Sequence, residues 1–498
     1  MVTNSNWESL KALALDYPLV PIFKILPAPT RSSLDTFRIL KTLSRQCFIL
    51  ESLEDMEHWG RYTFLGYDPK LEITCTNGTL RIKNGTSLRF ETKDPGSYIK
   101  HILEENRSPC LPELPPFAGG LVGYFSYDYI KYKEPSLNLD AADEEGFKDL
   151  DLMLFDKLIA YDHTLGRLIL IHHIKTDALQ ENYTRALGEL EHLAGLIQNA
   201  AVVEPMLLRI CSPFRRLFDK EQYCTMVEKA KAYIREGDIF QVVLSNRLEA
   251  EAEGSLFHTY QVLRHLNPSP YMFYFSSDDL EIAGSSPETM VKLVEDRVFT
   301  FPLAGTRPRG KTPEEDAALE QDLLQDPKEL AEHTMLVDLG RNDLGKIATF
   351  GSVRVEKYRS VEKFSHVMHL GSTVQGRLAA GKSALDAIDA VLPAGTLSGA
   401  PKIRACQIIN KLENNKRGIY GGAIGYLGFS GAMDTCIAIR LVFKKNGKVF
   451  IRSGAGIVAD SVPALEFEEC QNKLKAVLQA MEEAGSPGAV HGREKALA

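Results

Sequence analysis

Glu329 and Glu332 stand three residues apart in "DPKELAEHTMLVDLGRND" (326–343), and Glu466 and Glu469 repeat the spacing in "LEFEECQNK" (465–473). On a helix, residues three or four apart share a face, so Glu329, Glu332 and Leu336 fall on one stripe. Glu469 likewise precedes apolar Leu474, Val477 and Leu478. A single E-x-x-E is an ordinary solvated helix face. Two of them, each running into an apolar stripe, predict a shared acidic site. Such a site suits Mg2+, which takes a few carboxylates together with water and substrate oxygens.

Two glycine-rich stretches, "PLAGTRPRG" (302–310) and "RSGAGIVADS" (452–461), each follow a strand pattern. Read as loops, they offer backbone N–H groups to an anion, with Arg307 and Arg309 beside the first. Neither is a P-loop, because no Gly-Lys-Ser/Thr closes it, and neither has the G-x-G-x-x-G spacing. Anion-accepting loops beside acidic helices fit a small carboxylated substrate bridged to a cation. "FSHVMHLGSTVQG" (364–376) holds His366 and His369. Its β-branched, alternating context predicts a strand, where residues three apart face opposite sides, so only one of them can enter a site.

The elements around these residues follow from patterning. The chain has 498 residues, 44% hydrophobic and 25% charged, as expected of a soluble globular protein. A net charge of -8 argues against nucleic acid or an anionic membrane as partner. No apolar run approaches the roughly 20 residues that span a bilayer. Eight scattered cysteines without C-x-x-C read as reduced thiols, and the N-terminus has no targeting pattern, so a cytoplasmic protein is expected. Asn77-Gly78 and Asn84-Gly85 mark hairpins, and "LMLFDKLIAYDHTLGRLILIHHI" predicts a pair of strands turning between Asp162 and Gly166. A helix is expected from Thr176 to about Ala200, then a connection over 201–216. Another helix opens with Asp219 and Gln222 as a capping box and stops at Gly237. Strands and helices then alternate to a frayed tail from Gly485. The pattern is an α/β mixture.

Nine segments occur in an order that identifies a family: "GDIFQVVLSNR", "GSSPE", "PLAGTRPRG", "KELAEHTMLVDLGRND", "PAGTLSGAPKIRA", "RGIYGGAIGY", "DTCIAIR", "GAGIVADS" and "EFEECQNK". The chain resembles the chorismate-utilising enzymes, and among them most the large (component I) subunits of anthranilate synthase, over about residues 20–485. The resemblance implies an α/β (α+β) fold of two facing antiparallel sheets flanked by helices. It implies an N-terminal, effector-binding region over 20–200 and a chorismate-binding catalytic region over 212–485. It also implies a Mg2+ ion held directly by Glu332 and Glu469 and through water by Glu329 and Glu466. Carried over position by position, Gly305, Thr306, Tyr420, Arg440, Gly454, Ala455, Gly456 and Lys473 would bind substrate. His369 would be the acid/base residue of pyruvate elimination. Glu288 would assist ammonia addition and hydroxyl departure. Gln241 would stand at the catalytic position where isochorismate and salicylate synthases carry a water-activating Lys. His333 also matches a family position.

Each assignment has a structural alternative. Lys473 follows Glu469 by four residues, an ordinary i,i+4 ion pair. Arg440 suits a fork onto carboxylate or a structural cation, and Tyr420 suits a core aromatic with a satisfied hydroxyl.

The implied activity is conversion of chorismate and ammonia to anthranilate and pyruvate through 2-amino-2-deoxyisochorismate, the first committed step of tryptophan biosynthesis. A glutaminase needs a nucleophilic Cys on a tight turn, normally with small neighbours. None of the eight cysteines has Gly on either side. A separate glutaminase subunit, in a heterodimer or heterotetramer, is therefore expected to supply ammonia. Feedback by L-tryptophan is implied at Glu51, Ser52, Pro270, Tyr271, Met272 and Cys436, with Tyr271 and Met272 flanking the indole. Alternatively, Pro268 and Pro270 only shape an edge turn and "MFYF" is ordinary strand core. One rival is 4-amino-4-deoxychorismate synthase, which carries Lys where this sequence has Ala304. Another is a non-catalytic tryptophan-binding subunit, which would have lost His369 or an acidic pair. Mg2+–diphosphate chemistry on acidic helices would predict an all-helical chain.

Overall fold

Alternation within each strand sets the architecture. In strand Tyr271–Ser276, Met272 and Tyr274 turn into one apolar cluster while Phe273 and Phe275 turn into another. A sheet buried on both faces needs an apolar layer on each side. The computed structural model describes residues 2–4, 7–27, 31–53, 60–363 and 367–485. Among these, the strands form two antiparallel sheets, one of 14 strands and one of 12.

The layer between the sheets is aromatic-rich. Phe48, Phe273, Ile282 and Phe443 from the larger sheet meet Val122, Met153, Ile424 and Tyr426 from the smaller. Helices Ser33–Leu43, Leu179–Asn199, Phe257–Leu266 and Pro463–Ala484 cover the outer face of the larger sheet. Helices Pro95–Glu105, Pro327–Gly345 and Ala384–Val391 cover the smaller. Two facing antiparallel sheets flanked by helices are thus the observed fold.

Local turn chemistry reads as expected. Asn77 (φ 48) and Gly78 (φ 85) form the two-residue turn between Leu71–Thr76 and Thr79–Asn84, both in the left-handed region such hairpins favour. Helix Lys220–Arg235 starts at the Asp219/Gln222 capping box. "LMLFDKLIAYDHTLGRLILIHHI" differs from its expected single pair. Strand Leu150–Phe155 belongs to the smaller sheet, and only Lys157–Asp162 and Arg167–Lys175 form the hairpin, in the larger. The chain changes sheets at Asp156, which strand periodicity cannot reveal.

Stretch 201–216 supplies two short strands, Arg209–Ile210 and Arg215–Arg216, both paired with Gln241–Glu253. Residues on either side of it share sheets: Cys47–Glu51 pairs with Tyr271–Ser276, and Gly120–Phe125 with Ala423–Gly428. The eight cysteines are free. Among the described residues no helix is long and apolar enough to cross a membrane. His366 and the tail beyond Gly485 lie outside the described residues.

Candidate active site

Two chain crossings between the sheets place the central pair of charged side chains. Strand Leu280–Ser286 of the larger sheet passes through Pro287 and Glu288 into Thr289–Val294 of the smaller. Strand Met433–Ile437 of the smaller sheet returns through residues 438–440 into Leu441–Lys445 of the larger. The crossings are stitched together. The Ile437 amide donates to the Glu288 carbonyl at 2.9 Å, and the Ser285 amide to the Arg440 carbonyl at 3.1 Å. Arg440 sits at φ 51, a left-handed conformation that costs a non-glycine residue about 1–3 kcal/mol and persists only where its surroundings impose it.

A cavity of about 560 Å³ opens there, lined by both glutamate pairs, Glu288, His369, Arg440 and Lys473. Gln241, Gly305, Thr306, Tyr420, Gly454 and Gly456 complete the set of expected residues along its wall. Ala455 is the exception, its side chain packed into the apolar cluster behind the strand. Strand alternation explains this, since 454 and 456 face the cavity and 455 faces away.

Helix Pro327–Gly345 begins at Asp326, whose carboxylate caps the amides of Lys328 and Glu329. Its buried stripe of His333, Leu336, Val337 and Leu344 turns the Glu329–Glu332–Leu336 edge over the cavity. Burial first, and neighbouring Glu332 second, raise the Glu329 carboxyl above its ordinary range. Burial and Glu469 raise Glu466 in the same way, against a hydrogen bond from Ser461 that lowers it. Carboxylates that repel one another in a half-buried site suit a cation. Among the described residues no group of three or more His, Cys, Asp or Glu side chains is gathered closely enough to hold a metal ion. Glutamates from two helices facing one cavity are a donor set that fits Mg2+, which takes one or two carboxylates and completes its shell with water and substrate oxygens.

Burial lifts Glu288 to about 7, although Thr396 Oγ1 donates to its Oε1 at 3.0 Å and Arg440 and Lys473 oppose the rise. His369 Nδ1 lies 2.8 Å from the Gly305 carbonyl. A carbonyl only accepts, so the proton is on Nδ1 and Nε2 is the basic nitrogen. Burial lowers the affinity of His369 for a second proton. Lys473 does form the i,i+4 pair with Glu469, at 2.7 Å, and also donates to the Gly454 carbonyl at 3.0 Å. Gln241 Nε2 approaches Glu332 at 3.4 Å. A Cβ on Gly456 would stand 2.7 Å from that nitrogen, so a larger residue there would displace the Gln241 amide.

Several expectations are corrected. "PLAGTRPRG" is no loop: Leu303–Pro308 is a strand paired with Val367–Arg377, with a bulge at Gly305, whose φ is 64. "RSGAGIVADS" likewise continues strand Lys448–Ile457, paired with Gln241–Glu253. Its glycines keep the cavity wall thin rather than form an anion loop. Arg307 is spent on Asp322 and Asp326, where it joins the end of helix Pro313–Gln325 to the start of the next, and Arg309 on Asp316 at the start of the first. His333 does not line the cavity. It is fully buried, bonded through Nε2 to Ser372 at 2.7 Å, and held neutral by burial at about 4.

The residues expected to bind an effector lie apart from the cavity. Glu51 pairs with Arg264 at 2.5 and 3.0 Å and accepts from Tyr260 and Thr63. Ser52 is buried, and Pro270 precedes the strand that puts Met272 opposite Glu51. Met272 and Tyr271 occupy opposite faces, so they cannot flank one ring: Met272 enters the outer core, and Tyr271 reaches Asp434 at 2.7 Å in the other sheet. Cys436 is buried between the sheets. Thr396 and Arg452 also line the cavity and were not singled out by sequence. Thr396 stands within "PAGTLSGAPKIRA", where the residue after Gly was the available signal.

Residues 46–479 match the family described as chorismate binding enzyme. The chain is 43% identical to anthranilate synthase component 1 of Acetivibrio thermocellus, covering 96% of this chain and 98% of that one. It is equally identical to that of Aquifex aeolicus, over 97% and 98%. Anthranilate synthase component I from Streptococcus pneumoniae TIGR4 superposes with a TM-score of 0.74 at 40% identity, covering 85% of this chain and 93% of that one. MenF, the menaquinone-specific isochorismate synthase from Escherichia coli, reaches 0.67 at 19% identity over 95% and 98%, a likeness of fold alone.

Proposed function

Since the chain belongs to the chorismate-binding enzyme family, among the anthranilate synthase component 1 proteins, we propose that it converts chorismate and ammonia to anthranilate and pyruvate. The supporting observation is one cavity that gathers a carboxyl poised near neutrality, a basic imidazole nitrogen, the cations Arg440 and Lys473 among four that line it, and four further glutamates. Regions 20–200 and 212–485 are read as the effector-binding and catalytic parts.

Arg440 and Lys473 receive the substrate carboxylates, Arg440 by a fork and Lys473 as a point charge. Tyr420 and the Gly454 and Gly456 backbone form the wall beside Lys473, and Thr306 offers a hydroxyl beside His369 at 3.1 Å. Mg2+, held by Glu332 and Glu469 with Glu329 and Glu466 reaching it through water, would supply Lewis acidity toward the ring carboxylate. Glu288, protonated near pH 7, gives its proton to the C4 hydroxyl as ammonia bonds to C2, and water leaves. The added ammonium then returns a proton to Glu288. His369 Nε2 takes the C2 proton, the C3–O bond breaks as the ring becomes aromatic, and the departing enolpyruvate takes up a proton at its methylene carbon to become pyruvate. Gln241 cannot act as a base, which disfavours water as nucleophile.

Ammonia comes from a separate glutaminase subunit on this reading, and tryptophan feeds back through the Glu51–Ser52 and Pro270–Met272 segments. Chromatography of a reaction holding chorismate, Mg2+ and ammonium tests the assignment. Anthranilate and pyruvate in equal amounts are expected. Isochorismate or 4-amino-4-deoxychorismate as the main product would overturn it.

A further inference from the structure

Behind one wall of the cavity lie three charged side chains with almost no solvent contact: Glu413 and Arg417 at 2% exposure, and Arg452 at 4%. Glu413 Oε1 accepts from Arg417 at 2.6 Å, and its Oε2 accepts from Arg452 at 2.9 Å. Ser245 adds its amide and hydroxyl to Oε1 at 2.8 and 2.9 Å. Arg417 also donates to the carbonyls of Leu397 and Val243, at 2.6 and 2.7 Å. Arg452 donates to Ser245 Oγ, Asn415 Oδ1 and the Lys416 carbonyl. Val243, Leu397 and Arg452 all line the cavity. The triad therefore ties together strands Gln241–Glu253 and Lys448–Ile457 and the turn Gly395–Leu397.

Two guanidinium groups against one carboxylate leave one positive charge, and burying charge is costly unless something gains from it. Four of the five N–H groups of Arg452 are spent on the protein, so it cannot clamp a carboxylate as a fork. What it offers is charge in a weakly screened place. We propose that the Arg417–Glu413–Arg452 triad is a specificity-determining element, whose excess positive charge behind the wall draws a dicarboxylate substrate into the cavity. This rests on chorismate being the substrate.

The test uses the whole chain, with KM for chorismate and kcat measured across ionic strength. Arg452→Met removes the excess charge. KM should rise at least about fivefold at every ionic strength, and kcat should change by less than about twofold. Glu413→Gln, nearly isosteric, raises the charge and should lower KM. Arg452→Lys keeps the charge and should restore KM toward the wild-type value. Opposite signs in the two charge variants are the signature, since a purely structural role would impair both. KM rising in both, or unmoved in both, overturns the proposal. So does failure of both to fold while Arg452→Lys is unaffected, which would assign the triad to stability alone. A wild-type chain that does not turn over chorismate would instead remove the reading beneath it.

Discussion

His369 donates its Nδ1–H to the Gly305 carbonyl at 2.8 Å. That bond holds the imidazole in one tautomer, and the carbonyl is available because Gly305 occupies a bulge between strands Leu303–Pro308 and Val367–Arg377. The left-handed φ of 64 at Gly305 thus helps to orient His369. An alanine there would be strained, and its Cβ would stand 2.9 Å from Leu323 and 3.1 Å from Glu329.

His369→Ala should therefore separate the two steps. Ammonia addition, which relies on Glu288, continues, while proton removal from C2 slows by about 10²–10⁴. Aminodeoxyisochorismate should accumulate in chromatograms of the reaction. Anthranilate formed at the wild-type rate would remove His369 from the mechanism.

Glu288 titrates at about 7 against a reference of 4.5, because burial disfavours its charge. At a fixed concentration of unprotonated ammonia, kcat should fall as pH rises past about 7, since the acid form is lost. Stability carries the same sign: between the two values the folded chain binds more protons than the unfolded one, so stability falls as pH rises through that window. Glu288→Gln should abolish the activity limb and flatten the stability change. Rate profiles and melting curves in a constant-ionic-strength buffer series check both. A variant that keeps the wild-type pH profile would contradict the assignment.

Much of this was legible in the residues. The two E-x-x-E helices announce themselves through spacing and apolar stripe, and Asn77-Gly78 encodes its turn locally. The glycine segments were misread as loops because the composition of a bulged strand and of a loop is the same, and only pairing with a distant strand decides between them. Glu288 and Arg440 owe their places to sheet crossings, which a period-two pattern does not register. Glu413 and Arg417, four apart, look like an exposed ion pair in sequence, and their burial is purely tertiary. The Tyr271–Met272 assignment erred for a simpler reason: neighbouring strand residues face opposite ways.

Metal dependence should appear both as activity and as stability. Chelation should abolish turnover, and Mg2+ should restore it and raise the melting temperature. At a hundredfold excess over Kd the gain is about 2.7 kcal/mol. Affinity should weaken as pH falls, because the raised carboxyls of Glu329 and Glu466 protonate first. Glu332→Gln should lose the thermal shift and the activity together. Full activity after exhaustive chelation would exclude the metal role.

Tryptophan should inhibit the wild-type chain at subsaturating chorismate. Met272 pairs opposite Glu51, and Tyr271 pairs with Ser286, two residues before Glu288, so the strand proposed to hold the effector is continuous with the crossing that carries Glu288. A coupling of about 1–3 kcal/mol is enough. Ser52→Phe and Met272→Thr should each need at least about fivefold more tryptophan for half-inhibition. Insensitivity of the wild type at millimolar tryptophan defeats the regulatory reading, and equal responses from all three defeat the placement.

The central claim, a chorismate-consuming synthase that depends on ammonia from another subunit, is tested by anthranilate fluorescence from the isolated chain with chorismate and Mg2+. Ammonium should support steady turnover, and glutamine without a partner should give none. Turnover with glutamine alone, or no anthranilate with ammonium, would contradict it.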